Sequence, residues 1–160
     1  MRAGFRVAVL SVVMISPCLS APYDALVGVW NLNLESQQTD YAPGYPKPRS
    51  QTYKFEAAAA GGIKCTNDLV EADGKKVHAE YTPQFDGKDY PVKGDPNADT
   101  IAMTRSKPFM IDGTFKKGGQ VTSTFGVILW GNGLLMTINS KDTRAGKTYE
   151  NSVVYNKAVQ

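Results

Sequence analysis

From Gly28 to Lys157 the chain alternates apolar and polar residues in short runs separated by turn signals. The first run, Gly28-Val29-Trp30-Asn31-Leu32-Asn33-Leu34-Glu35, puts Trp30, Leu32 and Leu34 on one face and Asn31, Asn33 and Glu35 on the other. That period of two predicts a half-buried strand reaching about Ser36. Thr52 to Ala57 repeats the pattern with Tyr53, Phe55 and Ala57 inward, and Ile63 to Val70 follows with Ile63, Cys65 and Leu69 in phase. Val77, Ala79 and Tyr81 define the next strand, Tyr90 to Val92 a short one, and Thr100 to Arg105 one with Ile101 and Met103 inward. Beyond Pro108, strands are predicted over Phe109 to Phe115, Gln120 to Trp130, Leu134 to Asp142 and Lys147 to Lys157.

The breaks between these runs are hairpin chemistry. Asp73-Gly74, Asp86-Gly87, Gly118-Gly119, Gly131-Asn132-Gly133 and Ala145-Gly146 all supply residues that tolerate positive φ. Ala57 to Ala60 has helical propensity, but Gly61-Gly62 ends it after one turn, and a nucleus that short does not stand alone. About ten segments follow one another with connections too short for crossover helices, which predicts an antiparallel meander. The expected fold is all-β: an antiparallel up-and-down meander closed into a barrel of about 8–10 strands, since closure removes the exposed edges.

Two stretches fall outside the pattern. Residues 37–50 carry Pro43, Pro46 and Pro48 around Gly44 and Tyr45, so they form neither a central strand nor a helix. A loop that long serves either as a lid over a barrel mouth or as a connection packed outside. Residues 1–20 read as a signal peptide: Arg2 and Arg6, then the apolar Val7 to Ile15, then a small exit with Cys18 and Ser20 at minus three and minus one. The apolar core is too short to span a bilayer. The expectation is a secreted or periplasmic protein with one domain over 21–160, and no stable membrane insertion after cleavage.

Removing the leader also changes the charge. The 18 basic residues lose Arg2 and Arg6, leaving 16 against 15 acidic ones, a net of +1 in place of +3. No nucleic-acid partner is therefore expected. Of two cysteines only Cys65 remains, so no internal disulfide can form, and its phase predicts a buried, inert thiol.

Gly28-x-Trp30 at the head of the first strand, followed by a β meander, resembles the lipocalin and wider calycin group. Together with the loop leading into Ser50-Gln51-Thr52 and with Tyr90-Pro91-Val92-x-Gly94-Asp95-Pro96-x-Ala98-Asp99, it is similar to exported bacterial lipocalin-like proteins of unassigned activity. The resemblance implies that Gly28, Trp30 and a final-strand cation, here Lys157, close one end of the barrel. Arg105 and Arg144 are the next candidates for that cation. Thr39-Asp40-Tyr41 matches a second lipocalin motif, but it follows the first strand directly instead of lying in a late loop, and carries no weight.

Chemistry is sparse. The single histidine, His78, lies on the polar phase of its strand, and one His with one Cys makes no ordinary zinc set. Asp95-Pro96-Asn97-Ala98-Asp99 opens like a calcium loop but has Thr100 at the sixth position and Ser106 at the twelfth. No cofactor, metal or catalytic residue is expected, and the protein is read as a non-enzyme. The remaining candidate site is the barrel interior with its entrance: Tyr41 and Tyr45 at the mouth, and Tyr53, Phe55, Tyr81, Ile101, Met103, Phe125, Met136 and Tyr155 inside. These would line a site for a small apolar molecule or, in so short a chain, fill the core and leave only a modest cavity. The alternative role is an envelope interaction module, such as a hydrolase inhibitor acting through the 37–50 loop, with its protein partner left open.

Overall fold

The computed structural model describes residues 25–107 and 109–159; the leader expected over 1–20 and the break expected at Pro108 lie outside them. Ten strands follow in chain order: β1 Gly28–Leu32, β2 Ser50–Ala57, β3 Ile63–Val70, β4 Lys76–Tyr81 and β5 Tyr90–Lys93, then β6 Thr100–Lys107, β7 Met110–Lys117, β8 Gln120–Trp130, β9 Leu135–Arg144 and β10 Lys147–Lys157. Each pairs antiparallel with its neighbours in sequence, and β1 pairs with β10, so the sheet closes into a ten-stranded up-and-down barrel. The alternation of the sequence becomes the inside and outside of that barrel.

The first strand is shorter than the pattern suggests. It ends at Leu32, and Leu34 is exposed instead of facing the core. The cause is local: the Asn33 side-chain oxygen accepts the Glu35 N–H at 3.1 Å, an Asx turn that competes with the ladder. Ala57, expected inward, is likewise exposed where β2 ends opposite Ile63. The Ala-rich tract forms a single 3-10 turn, Ala59–Gly61, with Ala60 at φ 54°.

One end of the barrel is closed by side chains. Trp30 is wholly buried and its Nε1–H donates to the Leu26 carbonyl at 2.7 Å. Lys157 is Trp30's partner in the β1–β10 ladder; its ammonium lies 5.2 Å from the indole centroid and donates to the Ala25 carbonyl at 2.9 Å. Withdrawal from water lowers the Lys157 pKa. Gly28, at φ 139°, leaves room for that lysine stem, since a Cβ there would come within 2.6 Å of Lys157 Cε. Arg105 is engaged elsewhere, its guanidinium 4.5 Å over the Phe85 ring.

Cys65 sits opposite Phe55 and Tyr81 in the ladder, fully buried, and burial pushes its thiol pKa up to about 12. In a chain beginning at residue 21, a thiol reagent such as Ellman's should therefore modify Cys65 only as fast as the barrel unfolds. Full modification of the native protein within minutes would contradict its burial.

Candidate site: a cavity between the closing tryptophan and the 37–50 loop

Above the closed end the interior is not filled. A cavity of about 450 Å³ lies between Leu26 and Phe55 at one end and the residues of the 37–50 loop at the other. That is within the range of small-molecule sites. For ten strands in so short a chain the sequence's simpler implication is a filled core with only a modest cavity; the closed ten-strand sheet instead leaves this space, since barrel diameter grows with strand number. Gly113 helps to keep the space open: the Phe125 ring lies against it so closely that any Cβ at 113 would overlap ring atoms. A bulge in β8, where Lys116 pairs with Val121 after Phe115 pairs with Ser123, adds Thr122 to the wall.

Of the interior residues named from sequence, Tyr53, Phe55, Tyr81, Met103, Phe125 and Tyr155 border this cavity, as do Tyr41 and Tyr45 from the loop. Ile101 and Met136 do not. Both are fully buried, Ile101 between Tyr90 and Phe115 in the ladder and Met136 between Leu129 and Tyr155. They are packing residues rather than lining.

The loop is held over the opening by the backbone of β10. Asp40 and Ser152 exchange two main-chain hydrogen bonds, of 2.6 and 2.8 Å, and the Ala42 N–H donates to the Asn151 side chain at 3.0 Å. Tyr41 and Tyr45 stack with centroids 5.4 Å apart, and Tyr45 meets Tyr149 edge-on at the same distance. The Arg144 guanidinium lies 4.9 Å over the Tyr45 ring and donates to its hydroxyl at 2.9 Å. Burial, with the charge of Asp142 contributing, pushes the Tyr45 phenol up to about 12 and Tyr41 higher still. Neither phenol ionises near neutrality.

Polar groups also face the cavity, and period-two reading passed over them. Gln51 donates to the Tyr53 hydroxyl and to Asn67 Oδ1, both at 3.0 Å, while the Tyr155 hydroxyl donates to Gln51 Oε1 at 2.7 Å. Across the cavity, Asp142 accepts from Ser123, Ser140 and Asn151. The signal was present: Gln51, Asn67, Ser140, Asp142 and Asn151 each stand on the inward phase of an otherwise apolar strand. Interruptions of that kind, repeated on several strands, mark a wet interior.

Outside the barrel, His78 is exposed and hydrogen-bonded to Asp68 at 2.6 Å, with Glu80 at 3.6 Å; the bond to Asp68 raises its pKa. Asp95 and Asp99 serve turns, accepting the N–H groups of Asn97 and Gly118. Among the described residues no group of three or more His, Cys, Asp and Glu side chains is placed to hold a metal. No protein-family model matches the chain, and a search of the curated proteins gives no match.

Proposed function

We propose that this protein is an exported, lipocalin-like carrier that takes a small, mostly apolar molecule into its barrel and does no chemistry on it. The observation that carries the reading is the 450 Å³ cavity, walled by Phe55, Tyr81, Met103, Phe125 and Val153 and bordered at its mouth by Tyr41 and Tyr45. The closed end supports the calycin-type likeness, with Trp30, Lys157 and Gly28 packed together. The basic, then apolar, then small-residue order of the leader supports export. The chain's one imidazole lies on the outer face, away from the cavity, which favours storage or transport over acid–base catalysis. A partner-binding role for the 37–50 loop draws less support, because Tyr41, Tyr45, Pro46 and Pro48 border the cavity.

Native mass spectrometry of protein purified from its own cell envelope tests the proposal. The expected result is a reproducible extra mass that is lost on denaturation. A bare mass equal to the processed chain, together with no uptake of an apolar fluorescent probe, would overturn it.

A further inference from the structure

Resting on the carrier reading, we infer that the ligand is an amphipathic organic cation, such as a protonated alkylamine, whose charged group is held by Asp142.

The Asp142 carboxylate is fixed by neighbours on three consecutive strands. It accepts from Ser123 Oγ of β8 at 2.6 Å, from Ser140 Oγ of β9 at 2.8 Å and from Asn151 Nδ2 of β10 at 3.0 Å. All three donors are neutral. An ionised carboxylate offers about four acceptor positions, so the cluster leaves one unfilled. Among the described residues no lysine or arginine forms an ion pair with it. Asp142 is half-buried and its three donors carry no charge, so a cationic ligand would supply the counter-charge that its neighbours do not.

The rest of the wall has the same sign. Glu71, Asp73, Asp95 and Asp142 border the cavity against one cation, Arg144. The three other carboxylates have local duties: Glu71 lies 4.0 Å from the Lys75 ammonium, Asp73 accepts the Lys75 N–H and Asp95 the Asn97 N–H. Arg144 is engaged by the ring and hydroxyl of Tyr45. An anionic head group would meet four carboxylates and an occupied guanidinium. A cationic one would meet Asp142 and its unfilled acceptor position. Toward the closed end, Leu26, Phe55, Val127 and Val153 offer an apolar wall for the body of the molecule.

Octylamine, octan-1-ol and octanoate share a tail and differ at the head, so calorimetric titration of the full processed chain with each separates charge from apolar burial. The expected order at pH 7 is octylamine tightest, by about 10- to 100-fold over octan-1-ol, with octanoate weakest. In D142N the amine should fall to the level of the alcohol while octan-1-ol binds as in wild type, which also reports that the cavity remains folded. R144Q should tighten the amine. Equal binding of amine and alcohol, or an amine preference kept by D142N, would overturn the inference and leave the carrier reading standing. Binding of none of the three would overturn both. Should D142N not fold, the wild-type order decides, and octanoate matching or exceeding octylamine would refute the proposal.

Discussion

Trp30→Ala is expected to lower the unfolding free energy by about 3–5 kcal/mol, the range for removing a large aromatic side chain from a packed interior. Against a total of about 5–15 kcal/mol for a domain, that is enough to leave part of the population unfolded. The position warrants the upper part of the range. Trp30 is wholly buried, its Nε1–H satisfies the Leu26 carbonyl, and its ring is the surface on which the Lys157 ammonium rests. Its loss leaves a cavity, an unanswered carbonyl and a partly desolvated cation together. Trp30→Phe retains most of the apolar area and should cost about 1–3 kcal/mol, chiefly for the carbonyl. Urea unfolding followed by far-UV circular dichroism measures both. A Trp30→Ala midpoint close to wild type would mean that this end of the barrel is not closed by the tryptophan.

The closed end was legible in the sequence for a reason specific to it. Gly28 and Trp30 belong to the first strand and Lys157 ends the last, and a meander that closes must bring those strands together, so a resemblance resting on Gly28-x-Trp30 also points to the final-strand cation. The hairpins were legible because Asp73-Gly74 and Gly146 announce positive φ, and Gly74 and Gly146 adopt it, whereas Ala145 adopts it with no such signal in the sequence. The cavity was not. Whether Tyr53, Tyr81 and Tyr155 fill a barrel or line it depends on its width, and although about ten strands are readable from the alternation, the stagger and tilt that also set the width are not encoded by a period of two. Ile101 and Met103 show the limit: two residues apart on the same face of β6, both almost fully buried, one borders the cavity and the other is packed between Tyr90 and Phe115. Asp142 was missed because the alternation was read for apolar residues alone, although it shares the phase of Met136 and Ile138.

Ile138→Trp should reduce binding of an apolar probe by about 100-fold or more, equivalent to about 2.7 kcal/mol, while the barrel stays folded. Ile138 lies in the middle of β9, flanked by Val127 and Val153 in the ladder, and it borders the cavity while only partly buried. An indole placed there extends into open volume instead of displacing packed neighbours, so the stability change should stay under about 1.5 kcal/mol. The matched control is Ile101→Trp. That residue is fully buried and does not border the cavity, so the same enlargement must push neighbours aside at a cost of about 1–3 kcal/mol or more, with a much smaller direct effect on binding. The pair separates the two roles that an inward apolar residue of a barrel can have. Binding lost at 138 with stability kept, and stability lost at 101, locates the ligand inside the barrel. Unchanged probe affinity in Ile138→Trp would place any binding outside it and turn attention to the outer surface of the 37–50 loop.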